Sequence, residues 1–198
     1  MELSLSDITE EDRGLIAPCG IICAGCDWYT NESGEAAKKI IQIWEGHKLA
    51  DVAIIKGLNS QNVQLDSQDV LAAIKTLKQY VETGSCSGCH LKKGGWTCIV
   101  GRCVKEKGYW TCAECADYDP ESTHPCPHTD TDSFPNLSKR SRSEEYDLTC
   151  KRYNDDIVKN LKKCREIGYP AFIAEIKKKV EKGWRTWQVI SPESINKK

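Results

Sequence analysis

Phenylalanine is nearly absent from this chain, with two residues among 198. The hydrophobic share is 39%, so the apolar core is thin for the length. Six Trp and seven Tyr supply part of the missing bulk. An excess of charge is lacking too. The formal net charge is −1, which argues against a whole-protein electrostatic grip on nucleic acid. No apolar run is long enough for a membrane helix, and the acidic start, "MELSLSDITEEDRG", is unlike the basic head of a signal peptide. These absences predict a cytoplasmic chain with no membrane partner, built as one domain or one domain with an appended piece. Catalytic signatures are missing as well. There is no nucleotide-binding loop, no H-E-x-x-H and no evident base beside a nucleophile. The reading leans away from an enzyme.

What the chain has is cysteine, twelve residues of it. Cytosolic thiols are kept reduced, so a disulfide framework is the reading for a secreted chain and metal ligation the reading for this one. Charge is also unevenly placed. Residues 1–82 carry 13 acids against 7 bases, and residues 151–198 carry 6 acids against 13 bases. A basic tail of this kind fits the solvated face of a helix.

Apolar periodicity predicts several helices. "LSDITEEDRG" forms a short one, capped by Ser6 or Asp7 and ended by Gly14. Residues 35–45 place Ala37, Ile40, Ile41 and Trp44 on one face. Residues 67–83 are capped by Ser67, carry a stripe of Val70, Leu71, Ile74, Leu77 and Val81, and stop at Gly84. Two more helices close the chain. One spans about 154–167, with Asn154 as cap and Ile157, Val158, Leu161 and Cys164 on its buried stripe, and the other runs from Pro170 to Gly183. "WRTWQVI" (184–190) reads as a short strand or an extended packing segment.

Between 84 and 126 the periodicity vanishes. Seven thiols fall there among many glycines, and such a segment cannot bury enough side chain to fix its own backbone. Metal ligation fits as the missing source of free energy. The cysteines from 86 to 115 read C-x2-C-x8-C-x4-C-x8-C-x2-C, the same from either end. A chain folding back near Val100 and Gly101 brings Cys86 and Cys89 opposite Cys112 and Cys115, a four-thiolate tetrahedral arrangement. The N-terminal "PCGIICAGC" supplies Cys19, Cys23 and Cys26, which then need a fourth ligand from Cys98, Cys103 or Cys126. His124 and His128 flank Cys126 as further candidates, while His90 and His47 are weaker ones. Cys164 reads as a small core hydrophobe, and Cys150 stands alone.

"CGIICAGC", "CSGC" and "CIVGRCVKEKGYWTCAECADY" together resemble a family of small cysteine-rich proteins known as a domain of unknown function. The resemblance covers about residues 17–126 and implies a metal-binding module with no established activity. It implies framework positions at Cys19, Cys23, Cys26, Cys86, Cys89, Cys103, Cys112, Cys115 and Cys126. The family's last cysteine follows its tyrosine almost at once, whereas seven residues separate Tyr118 from Cys126 here.

The C-x3-C-x2-C of residues 19–26 is also the spacing of radical enzymes. That chemistry needs a barrel of parallel strands, and no βαβ succession follows Cys26. The expected fold class is α+β, mainly α, with an irregular metal-bound cysteine-rich segment and room for a small sheet or hairpin. Residues 1–126 are the cysteine-rich domain with two helices inserted. Residues 127–149 form a mobile loop, and residues 150–198 a C-terminal helical pair packing on the same domain. The expected metal ligands are Cys19, Cys23, Cys26, Cys86, Cys89, Cys98, Cys103, Cys112, Cys115 and Cys126. Zinc is the expected metal and an iron–sulfur electron carrier the alternative. The expected partner is a protein rather than nucleic acid.

Overall fold

The computed structural model describes residues 3, 5–54, 66–90, 99–122, 126, 153 and 156–190. Cys98, Cys150, His124, His128, the expected cap Asn154 and the expected loop 127–149 lie outside the described residues. In chain order the helices are α1 (Glu10–Arg13), α2 (Asp27–Thr30), α3 (Glu32–Gly46), α4 (Leu49–Ile54), α5 (Ser67–Thr83), α6 (Ile99–Glu106), α7 (Asp156–Ile167) and α8 (Tyr169–Glu181). Tight 3-10 turns occupy Cys23–Gly25, Cys112–Glu114 and Thr186–Val189. The fold is mainly helical. Among the described residues no strand forms, and one isolated antiparallel bridge joins Ile16 to Ile22. The chain divides into two compact units, one of Met1–Tyr29 with Ser87–Lys198 and one of Thr30–Cys86.

In the unit Thr30–Cys86, α3, α4 and α5 pack on one another. Asp66, not Ser67, caps α5, because its carboxylate accepts the Gln68 N–H at 2.7 Å and leaves Ser67 as the first helical residue. Hydrogen bonding between Ser33 and Tyr80 and a 2.6 Å ion pair between Lys78 and Glu45 tie α3 to α5. Ala37, Val70 and Ile74 are buried, while Ile40 and Leu71 remain 38% and 48% exposed. These two members of the apolar stripes thus stay open to solvent. A groove of about 660 Å³ opens here over Trp44, Leu49, Leu71 and Ile74, rimmed by Lys48, Lys75 and Lys78, and no thiol lines it.

The other unit holds the main core. Ile8, Ile16, Ile22, Trp110, Tyr118, Ile157, Leu161, Tyr169, Phe172, Ile173 and Ile176 are buried in it, together with Cys19, Cys23, Cys115 and Cys164. Thr9 rather than Ser6 or Asp7 caps α1, its hydroxyl accepting the Asp12 N–H at 3.1 Å. The first cysteine loop doubles back on itself, with Ala17 N–H donating to the Ile21 carbonyl at 2.8 Å. Gly20 has φ +95° at this turn, and a Cβ there would lie 2.8 Å from the Ile157 carbonyl and from Leu161. Only glycine lets α7 approach so closely. The last helix, α8, starts at Tyr169, one residue before Pro170, because Gly168 turns the chain at φ +79° and the Tyr169 side chain is buried at its first position.

Two expectations are corrected in this unit. Residues 99–106 are helical, so the chain does not fold back at Val100 and Gly101, and Val104, Trp110 and Tyr118 give the 99–118 segment apolar anchors of its own. Sparse periodicity hid them, since each anchor is single and separated from the next by cysteines and turns. Residues 184–190 are not a strand. Thr186–Val189 form a 3-10 turn, closed by Arg185 N–H donating to Gln188 Oε1 at 3.0 Å, and the Thr186 hydroxyl donates to the Ile22 carbonyl at 2.7 Å. Side-chain ties of this kind replace a ladder where no neighbouring strand is available among the described residues.

Leu161 is 1% exposed at the centre of this core. Leu161→Ala should lower unfolding free energy by about 2–5 kcal/mol in a denaturant titration. Ile40→Ala on the other unit should change it by less than about 1 kcal/mol. Equal losses at the two positions would mean that the core is not where these contacts put it.

Candidate metal centre

Among the described residues, the candidate ligand cysteines of the larger unit come from five places. Cys19 sits in the Pro18–Gly20 turn, and Cys23 opens a 3-10 turn with its thiol 3.8 Å from the Ile21 carbonyl. Cys26 follows that turn, half-buried. Cys89 is half-buried between Gly88 and His90. Cys103 rides on α6, Cys112 and Cys115 bracket the Cys112–Glu114 turn, and Cys126 packs partly buried against the core. Cys86 belongs to the other unit and is exposed.

Cys112 is the centre of this group. Its N–H donates to the Pro18 carbonyl at 2.8 Å, which joins the second cysteine loop to the first. Its thiol is held well above the ordinary value, first by burial and then by the charges of Cys19, Cys126, Cys103 and Cys115. Four thiols from four segments therefore stand within electrostatic reach of a fifth. Packed together they resist ionisation, because each new thiolate would meet the others in a poorly hydrated place. A divalent cation reverses that balance by favouring every thiolate at once. Among the described residues no three His, Cys, Asp or Glu side chains stand in the close arrangement of a formed metal site.

The surroundings are built to hold this loop. The Glu114 carboxylate accepts the Trp110 N–H at 2.7 Å, the Thr111 N–H at 3.0 Å and the Tyr169 hydroxyl at 2.8 Å. Burial pushes the Tyr169 phenol strongly up, so it keeps its proton and donates it to Glu114. The Thr111 hydroxyl, 2.8 Å away, must then donate to the Tyr169 oxygen. Trp110 packs edge-on against Tyr169 and donates its indole N–H to the Arg13 carbonyl at 3.1 Å.

Three neighbours carried little signal in the sequence. Lys107 places its ammonium 3.5 Å from the Cys115 sulfur and 3.3 Å from Asp117, a hydrogen-bond donor and positive charge for that thiol. His90 lies against Trp110, and burial lowers it to about 4 against a backbone hydrogen bond to Ile16 that raises it. It is a neutral imidazole at pH 7. Arg165 reaches the second loop from α7, donating to the Ala113 carbonyl at 2.7 Å and the Cys115 carbonyl at 2.6 Å. Adjacency to cysteine in "CSGCH" and "CVKEKGYWTCAEC" marks the first two. Nothing local marks Arg165, which is 50 residues from Cys115. Cys164 takes no part in the group: it is fully buried in α7, and burial pushes its thiol up to about 12.

A mainly helical unit that gathers thiols from separate loops defines the class of this protein. Residues 15–129 match the family described as a protein of unknown function, DUF3795, and the chain belongs to that family. The match takes in every cysteine considered as a ligand and ends before α7 and α8. No curated protein and no solved structure gives a significant match to the chain.

Glu114→Ala should destabilise the protein more than Tyr169→Phe does. The first change leaves three donors, the Trp110 and Thr111 N–H groups and the Tyr169 hydroxyl, without their acceptor, at about 1–3 kcal/mol for each donor, whereas the second removes the two hydrogen bonds of the Tyr169 hydroxyl, to Glu114 and from Thr111, worth about 1 kcal/mol each. Chemical denaturation of both variants checks this. A larger loss for Tyr169→Phe would show that Glu114 is not the acceptor that orders the loop.

Proposed function

We propose that this chain binds zinc through the thiols of its two cysteine loops, and that the ion fixes those loops as a surface for a protein partner. The observation that supports the reading is the setting of Cys112, a buried thiol with Cys19, Cys103, Cys115 and Cys126 within electrostatic reach. A set of thiolates drawn from separate segments suits a closed, four-ligand structural site, since zinc accepts four sulfurs without a preferred electronic geometry. Cys98, Cys23, Cys26, Cys86 and Cys89 remain further candidate ligands. Trp28 and Trp187, 58% and 57% exposed, are side chains that a protein partner would cover.

Elemental analysis of anaerobically prepared protein should find zinc, and the protein should be colourless. Iron with sulfide and the visible absorption of a thiolate-bound cluster would replace zinc by the iron–sulfur carrier. Cys112→Ser should lose the ion and Cys164→Ser should keep it. Metal retained at wild-type level in Cys112→Ser would sink the reading.

Structural zinc contributes about 10–16 kcal/mol in small cysteine-rich units. A chelator should therefore remove hydrogen-exchange protection around residues 19–26 and 103–115, while α5 in the other unit keeps its own. Equal protection with and without chelator would mean that metal does not order the loops.

A further inference from the structure

The two cysteine loops are not held by each other alone. Their backbone carbonyls are caught by side chains from the far end of the chain. Asn160 of α7 donates to the Gly20 carbonyl at 2.9 Å, next to Cys19. Thr186 donates to the Ile22 carbonyl at 2.7 Å, next to Cys23. Arg165 forks onto the carbonyls of Ala113 and of Cys115 itself, with its guanidinium 5.4 Å from the Tyr118 ring centre. Each tie falls on or beside a cysteine. Asn160 and Thr186 are buried, 7% and 4% exposed, and Asn160 is itself steadied by Asp156 at 3.0 Å. Trp184 completes the grip on the first loop, lying so close to Gly25 that a Cβ there would meet the indole at 2.7 Å.

From this geometry we infer that Asn160, Arg165 and Thr186 are positioning residues of the thiol group, setting where both cysteine loops stand from outside the stretch that defines the family. The inference rests on the metal-binding reading for its purpose, though not for its geometry. A backbone carbonyl fixed beside a ligand fixes the ligand's Cα, and with it the direction from which the sulfur reaches an ion. α7 grips both loops, through Asn160 on one and Arg165 on the other. The separation between loops is therefore set by one rigid helix, with the segment around Thr186 adding a second hold on the first loop. Partners of this outer kind usually change metal affinity about 10–100-fold when removed.

The test uses the full chain as isolated, under reducing conditions. Timed alkylation read by mass spectrometry follows each cysteine separately. Thr186→Val should speed labelling of Cys23 and Asn160→Ala that of Cys19, each about tenfold for one lost tie, and Arg165→Gln, which gives up the guanidinium fork on two carbonyls, should speed labelling of Cys115 by at least about tenfold. Thr186→Ser, which keeps the hydroxyl, should label like the parent. Cys164, fully buried in the core, should stay protected in all variants and serves as the internal control for global unfolding. The same variants, loaded with cobalt(II), should bind it about 10–100-fold more weakly with shifted ligand-field bands. Unchanged labelling at Cys19, Cys23 and Cys115 overturns the inference. So does labelling of Cys164 in step with the loops, which would make the ties ordinary contributions to stability. If the parent takes up no cobalt while the loops still loosen selectively, the positioning role stands and the metal reading fails.

Discussion

The Glu114 carboxylate gathers three donors into one point, and the larger unit depends on it. Two of those donors are consecutive backbone N–H groups, Trp110 and Thr111, so the carboxylate fixes the chain as it enters the Cys112–Glu114 turn. The third is the hydroxyl of Tyr169, the first residue of α8. One side chain thus holds the second cysteine loop and ties it to the first residue of α8. Thr111 closes the arrangement by donating to Tyr169 and accepting the Ala113 N–H at 3.1 Å. With Trp110 anchored there, its indole can reach Arg13 while its ring faces His90.

The half-buried Glu114 carboxylate gives these three donors a common acceptor. The same economy runs through the unit. Its loops have little regular structure, so their backbone groups need partners that no helix or ladder provides. Side chains of α7 and of the Thr186 turn provide donors for the first loop, and Arg165 does so for the second. Cysteine fills the remaining space. Cys19, Cys23, Cys115 and Cys164 are all core residues, and three of the four belong to the loops. Four of the seventeen buried residues of this core are thus cysteines, which pack as small, polarizable hydrophobes.

The unit Thr30–Cys86 is built differently. Its three helices hold together through a few buried side chains, a Ser33–Tyr80 hydrogen bond and an ion pair. Its apolar stripes stay partly open to solvent, with Ile40 and Leu71 exposed. Nothing in it requires the cysteines.

Local periodicity was enough to locate α5, α7 and α8, because burial of one face leaves a 3.6-residue imprint on the residues that form it. The cysteine motifs likewise pointed to the family to which the chain belongs. The caps Thr9 and Asp66 and the first residue of α8, Tyr169, each differ by a residue or more from the expected position, since neighbours in space set which residue ends a helix. Two features were invisible for a stronger reason. The 3-10 turn at Thr186–Val189 exists because Thr186 meets a carbonyl 164 residues away, and the grouping of Cys19, Cys103, Cys115 and Cys126 around Cys112 needs four chain segments to arrive together. Residue types and spacings determine which groups are available and which helices can form. Which thiols meet, and which carbonyls Asn160, Arg165 and Thr186 hold, was decided by packing, because contacts between distant segments leave no periodic trace in the chain.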